Sequence, residues 1–430
     1  MLGAAYNLIA WLAQPLLRRK LARRAVAEPA YGQWVEERFG RYRVNRPEGD
    51  GPLIWIHAVS LGETRAAGIM LTALRERIPT MRLLLTNGTA TGRAEGEKLL
   101  RPGDVQVWQP WDTQGAVRRF LRHFRPDLGV LMETEIWPNL ILESAAQGLP
   151  LALANARLSE KSLRAAQRGG WLMRPAYGAL SAAWAQTEDD AARLRAIGVR
   201  SVAVLGNLKF DARPDPAHVA RGATWRSGSM RPVVMLASSR DGEELEFLNQ
   251  VRSRESTGAG VGPGAAEGVQ WLIVPRHPQR FDEVARLVQS HGLSVSLRST
   301  WSEGSPRAAD VWLGDTLGEM AAYYGAADVA LLGGSFAPLG GQNLIEAAAC
   351  GCPVLMGPHT FNFAEAARLA ESAGAARRVA DMSEAIAAAC ALVADTEAHE
   401  LMRQAALAFS SSHRGAAMRT TEAIVALGER

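Results

Sequence analysis

Cysteine is scarce, with Cys350, Cys352 and Cys390 the whole complement of a 430-residue chain. That rules out a disulfide framework, and the Cys350-Gly351-Cys352 pair has no second ligand pair with which to hold structural zinc. Reducing surroundings follow. No His-Glu-x-x-His, Cys-x-x-Cys or Asp-x-Asp stretch stands in a metal-binding context, so neither a metal site nor a bound cofactor is expected. A nicotinamide-dependent dehydrogenase is disfavoured because no Gly-x-Gly-x-x-Gly follows the first strand candidate. Net charge is only +4 with a pI near 9.1, too mild for a nucleic-acid partner but suited to anionic ligands or a lipid surface.

Long hydrophobic runs are also missing. The uncharged stretch Met1–Leu17 would cover about 25 Å as a helix, against about 30 Å of hydrocarbon, and Asn7, Gln14 and Pro15 interrupt it. Arg18, Arg19, Lys20, Arg23 and Arg24 follow at once. A cleaved signal peptide carries its charge before the apolar run, so residues 1–24 are expected to form either a membrane anchor or an interfacial helix. The basic flank keeps the remainder on the cytoplasmic side. A buried or partner-docking helix with a solvated basic flank is the alternative.

What is present is a large globular chain, 47% hydrophobic, of a length that suits two domains. Apolar runs at Leu53–Val59, Leu83–Leu85, Leu128–Met132, Leu151–Ala154, Ala182–Ala185 and Val202–Leu205 alternate with helical stretches. The pattern predicts an α/β, doubly wound parallel sheet over 25–206. Thr187-Glu188-Asp189-Asp190 is a capped helix start. Periodicity fades across 207–231, an expected linker, and strands resume at Val233–Leu236, Trp271–Val274, Val295–Leu297, Val329–Leu332 and Val354–Met356 in a second domain over 232–430 with an Ala-rich helical tail. Ser256–Gly268, rich in Gly and Ala, is an expected surface insertion.

In the first half the strand Leu53–Val59 runs into Ser60-Leu61-Gly62-Glu63. That places Ser60, Gly62 and Glu63 at a carboxyl strand end, where open α/β sheets bind ligands. Glu63 is either a helix-dipole carboxylate or a general base toward a sugar hydroxyl. Glu133 and Glu135, spaced by two after Leu128–Met132, share a side if the strand continues, although one of them is equally suited to cap the helix beginning near Trp137-Pro138. Lys209 is a solvated linker lysine or a countercharge for a phosphate and a carboxylate. In the second half Arg276 and His277 follow a strand, Gly333-Gly334-Ser335 end another, and Asn343-Leu344-Ile345-Glu346 opens a helix able to hold a phosphate.

The segment His57-Ala58-Val59-Ser60-Leu61-Gly62-Glu63 resembles the signature of 3-deoxy-D-manno-octulosonic acid (Kdo) transferases. Further segments match in order: Glu133–Asn139, Gly206–Asp211, Pro275–Pro278, Gly314–Glu319, Gly333–Ser335, Gly341–Ala347 and Gly357–Phe363. The resemblance implies a GT-B architecture, two Rossmann-like domains facing an interdomain cleft. The acceptor, a lipid A precursor, is then bound mainly by the N-terminal domain and CMP-Kdo mainly by the C-terminal one, at the cytoplasmic face of a bacterial inner membrane. It implies inversion at the anomeric carbon with Glu63 as base, and a catalytic part for Glu133, Glu135 and Lys209, without deciding which glutamate faces the site. Arg276, His277, Leu317, Gly318, Glu319, Gly333, Gly334, Ser335, Asn343, Leu344, Ile345 and Glu346 are implied to contact CMP, and Ser60 and Gly62 the acceptor. Leu344 stands where related glycosyltransferases often carry Pro.

Overall fold

The computed structural model describes residues 2–257, 268–301 and 306–429, so most of the expected insertion at Ser256–Gly268 lies outside the described residues. The chain divides into two compact units, Met1–Asp211 with His413–Arg430, and Ala212–Ser412.

The first unit is built on strands β1 (Leu53–His57), β2 (Arg82–Asn87), β3 (Val105–Trp108), β4 (Leu128–Met132), β5 (Leu151–Ala156), β6 (Ala182–Ala185) and β7 (Val202–Val204). Among the described residues they form one seven-stranded sheet in the order β3-β2-β1-β4-β5-β6-β7, with all neighbours parallel. The order reverses between β1 and β4. Side chains alternate along β1: Leu53 and Trp55 join Phe120 and Phe124 on one face, while Ile54 and Ile56 join Met70 and Leu71 on the other. Both faces are therefore covered. Ser60, Thr89, Thr113, Ser159 and Thr187 each cap a helix by accepting the N–H three residues on, each cap contributing about 1 kcal/mol. The helix begun at Thr187 ends at Gly198, which supplies the positive φ of 120°.

The uncharged N-terminal run folds as two helices, Leu2–Leu12 and Gln14–Ala27. The break falls where Pro15 has no N–H to continue the ladder. No helix among the described residues is long and apolar enough to cross a membrane. Tyr6 ties the first helix down by donating to Asp112 at 2.7 Å, whose carboxylate also accepts from the N–H groups of Asn139 and Leu140. Leu8, Ile9, Trp11, Leu12 and Leu16 are left exposed.

The second unit carries β8 (Val233–Ser239), β9 (Gln270–Pro275), β10 (Val295–Leu297), β11 (Val311–Leu313), β12 (Val329–Leu332), β13 (Val354–Met356) and β14 (Ala376–Arg378). Among the described residues they form a second seven-stranded parallel sheet in the order β10-β11-β9-β8-β12-β13-β14, reversing between β8 and β12.

Two boundaries differ from the sequence reading. The 207–231 segment is ordered: Leu208–Asp211 is a 3₁₀ turn of the first unit, and Pro216–Ser227 is a helix of the second. That helix packs on Met320–Ala326 so closely that a Cβ on Gly222 would lie 2.0 Å from the Ala322 carbonyl oxygen. The tail also splits, because Ala416–Gly428 belongs to the first unit, where Ala416, Ile424 and Leu427 share a core with Met70 and Leu71. Asp211 holds it there by accepting the N–H groups of Gly415 and Ala417 at the start of that helix.

Candidate active site

The reversal between β1 and β4 leaves a crevice at their carboxyl ends, where ligands bind in open α/β sheets. Glu63 stands on the β1 side. It occupies the first turn of the helix Leu61–Arg77 and is 8% exposed. Its Oε1 accepts the Ser60 hydroxyl at 2.7 Å and its Oε2 the Val59 N–H at 2.8 Å, while the Ser60 hydroxyl oxygen accepts the Glu63 N–H in turn. Helix capping and a crevice position therefore coexist in one residue. The Val59 contact is fixed backbone, whereas the Ser60 hydroxyl rotates, so a ligand hydroxyl is able to replace it at Oε1. Burial raises the Glu63 pKa, Ser60 and Val59 oppose the rise, and the charge of Glu133 adds to it. Gly62 has open space above it, its imagined Cβ meeting nothing closer than the Ser60 oxygen at 4.0 Å.

Glu133 and Glu135 stand on the β4 side. The strand does not continue through them, because Glu133 turns into the left-handed region with φ 56°. The two carboxylates consequently take different partners. Glu133 Oε1 lies 3.1 Å from Lys209 Nζ. Glu135 Oε2 accepts the Trp137 indole N–H at 2.7 Å and lies 4.0 Å from His57 Nε2. Neither side chain caps the helix at Pro138, which is served by Asp112. Burial, then the charges of Glu63 and Glu133, push the Glu135 pKa from 4.5 up to about 7.

Lys209 is held by residues the sequence reading did not single out. Asn155, at the end of β5 with φ 52°, accepts the Leu208 N–H at 3.0 Å, and Asn207 accepts the Lys209 N–H at 3.0 Å. Asn207 donates to Gln186 after β6, and Gln186 donates to the Asn155 carbonyl. Glu63, Glu133, Glu135 and Lys209 are thus gathered at one switch point by the ends of β1, β4, β5 and β6 and the turn after β7. The signal available for Asn155 was its place as a polar residue in an otherwise apolar strand.

In the second unit the expected residues follow the carboxyl ends of β9, β11 and β12, but not all of them are open to a ligand: Ser335, Leu344 and Ile345, expected to contact CMP, are buried in the core. Arg276 and His277 follow β9, and the ring of His277 is held below its ordinary pKa by burial and by the charges of Arg240, Arg276 and Arg280. Of these three cations Arg280 is already paired with Asp241, Glu244 and Glu283. Arg240, at the end of β8 beside the second switch point, was not anticipated from the sequence. Gly333 is required by close approach, since a Cβ there would lie 2.5 Å from the Ser238 carbonyl oxygen. The Gly334 N–H donates to the buried carboxylate of Glu243, which also accepts from Arg240 and Phe336, so this nest of backbone donors holds an anion from the chain itself.

Ser335 is fully buried, donating to the Leu332 carbonyl and accepting the Gly357 N–H. Asn343 caps its own helix by accepting the Ile345 N–H at 3.1 Å, the side chains of Leu344 and Ile345 are in the core, and Glu346 is half-buried. Leu317 is 72% exposed and Gly318 takes φ 83°. Glu319 is paired with Arg221 at 2.6 Å and Arg298 at 2.9 Å. Burial acts to raise its pKa, but Thr316 and those guanidiniums hold it below the ordinary carboxylate range.

Comparison with known proteins bears on both units. Residues 33–212 match the family described as 3-deoxy-D-manno-octulosonic-acid transferase (kdotransferase). The chain is 47% identical over 406 residues to the 3-deoxy-D-manno-octulosonic acid transferase of Bordetella pertussis, covering 93% of each chain. It is 30% identical to the Haemophilus influenzae protein of the same name, covering 99% of this chain and 98% of that one. Among solved structures, a glycosyltransferase from Rickettsia africae superposes with a TM-score of 0.58 at 12% identity, over 88% of this chain and 99% of the other. That last likeness is one of fold, and the fold is GT-B-like.

Proposed function

The chain belongs to the Kdo transferase family of enzymes, and on that footing we propose that it moves Kdo from CMP-Kdo to a lipid A precursor by inverting displacement. In this reading the acceptor hydroxyl oxygen attacks the anomeric carbon, its bond to the CMP phosphate breaks, and Glu63 takes the hydroxyl proton. An alcohol is a poor nucleophile at neutral pH, and a positioned base contributes roughly 10²–10⁴-fold in rate. A carboxylate pKa raised toward the working pH suits that task.

The observation that carries the proposal is the gathering of Glu63, Glu133, Glu135 and Lys209 at the β1/β4 switch point. Lys209, already beside Glu133, supplies a cation for the acidic groups of the donor. Arg276 and His277, with Arg240, provide the positive edge that suits the CMP phosphate, and Leu317, Gly318, Asn343 and Glu346 are the remaining expected contacts open to a nucleotide, whereas Ser335, Leu344 and Ile345 are buried and support the site from behind. The acceptor lies against Ser60 and Gly62. CMP-Kdo enters as a substrate, and no further cofactor is needed.

The enzyme works at the cytoplasmic side of the inner membrane in this proposal. The exposed Leu8, Ile9, Trp11, Leu12 and Leu16 suit burial in an interface, and Arg19, Lys20, Arg23 and Arg24 each add about 1 kcal/mol of attraction to anionic lipid, Arg18 being paired with Glu36. Mass spectrometry of lipid A precursor incubated with the protein and CMP-Kdo tests the activity and counts the sugars added. An unchanged acceptor mass with CMP-Kdo present refutes it.

A further inference from the structure

His57 lies between the core and the carboxylates and has no part in the chemistry proposed above. Its side chain is 0% exposed, and its Nε2 carries no hydrogen bond among the described residues. Two tautomers fit the Thr86 contact at Nδ1, because that residue offers both a hydroxyl and a backbone carbonyl there, and the relay inferred below takes the one in which Nδ1 accepts. The Trp55 indole N–H is a donor only, and it donates to Thr86 Oγ1 at 2.8 Å. The Thr86 hydroxyl then has its own proton to place, and His57 Nδ1 stands 2.8 Å away. With Nδ1 accepting, the neutral ring bears its proton on Nε2. Burial holds the imidazole pKa down at about 3, so the ring is neutral at physiological pH. In that tautomer the Nε2–H faces Glu135 Oε2 at 4.0 Å, about 1 Å longer than a hydrogen bond.

We infer that His57 is a positioning residue for Glu135: the relay Trp55–Thr86–His57 presents an N–H that closes onto Glu135 Oε2 when that carboxyl ionises. Trp137 already donates to the same oxygen, so the two donors fix the orientation of the carboxylate. Its Oε1, without a hydrogen bond among the described residues, is left for substrate. The charged or titratable groups facing Glu135 are His57 from β1, Glu63 from the following helix and Glu133 at the end of β4, with Lys209 paired to Glu133. Glu135 ionises near neutral pH, where the gain or loss of one donor moves the midpoint. The consequence for turnover rests on the Kdo transferase reading, whereas the relay itself does not.

Two measurements on the full chain test the inference. Nitrogen-15 NMR of the histidine rings is expected to show His57 protonated at Nε2 and bare at Nδ1; protonation at Nδ1 overturns the relay without any variant being made. Carbon-13 titration of Glu135 is expected to move upward by about one pH unit in His57→Leu, a tenfold change in its ionisation constant, and to stay near wild type in His57→Gln, which keeps an N–H donor. A midpoint unmoved in His57→Leu, or moved equally by both variants, overturns the positioning role. In the transferase assay the pH profile of kcat is expected to shift with the titration. Absence of Kdo transfer by the wild-type chain refutes the transferase reading and leaves the two NMR results to decide the relay.

Discussion

Replacing Glu135 by Gln is expected to stabilise the protein at alkaline pH while damaging the site. Glu135 is pushed from 4.5 to about 7 by burial and by the charges of Glu63 and Glu133, and its side chain is only 15% exposed. Below pH 4.5 the carboxyl is neutral in both the folded and unfolded chain, and its ionisation affects stability little. As pH rises toward 7 the unfolded chain ionises while the folded one stays protonated, so stability is progressively lost. At about 1.4 kcal/mol per pH unit the loss approaches roughly 3 kcal/mol above pH 7. Glutamine avoids this loss and still accepts the Trp137 N–H. Urea denaturation of both proteins at pH 4.5 and pH 8, followed by tryptophan fluorescence, reads the difference. The variant is expected to match wild type at the lower pH and to exceed it by about 2–3 kcal/mol at the higher. Equal stabilities at both values would falsify the assignment of Glu135 as an acid held neutral by its neighbours.

Lys209→Met removes the amine beside Glu133 and is expected to lower kcat by about 10²–10³-fold, measured with CMP-Kdo and lipid A precursor. Unchanged kcat would remove Lys209 from the chemistry. Asp211→Ala uncaps the helix Ala416–Gly428 and is expected to cost about 1 kcal/mol, visible as faster amide hydrogen exchange there. Gly222→Ala drives a Cβ against the Ala322 carbonyl and is expected to destabilise the second unit by about 1–3 kcal/mol in urea titration. Retention of the wild-type midpoint would show that the two helices separate freely.

Much of the fold was legible because buried parallel strands contain continuous apolar runs such as Leu128–Met132 and Leu151–Ala154. Of the strands that were not read, two carry weaker patterns. Val105–Trp108 is an edge strand with Gln106 inside it and Ala376–Arg378 is an edge strand two-thirds arginine, whereas Val311–Leu313 is apolar throughout and no shorter than Val295–Leu297, so its pattern was there to be read. The helix Pro216–Ser227 was hidden by an Arg- and Ser-containing composition whose buried contacts, Gly222 and Trp225, are small in number. At the site, the motifs pointed to Glu63, the two glutamates and Lys209. They were silent on the division of labour between Glu133 and Glu135, because the left-handed backbone at Glu133 is a tertiary effect that reverses the direction alternation would give. His57 and Glu243 were missed for a related reason. Each acts by filling the hydrogen-bonding needs of groups far away in sequence, Thr86 and Gly334, and no local spacing reports such a partner.

In the proposed reaction everything turns on the Glu63 carboxylate removing the acceptor proton during Kdo transfer. Single-turnover transfer to lipid A precursor by Glu63→Ala, run beside CMP binding by the same protein, tests it most directly. Transfer slowed by about 10²–10⁴-fold with CMP affinity retained is the expected result; transfer at the wild-type rate would exclude Glu63 as the base.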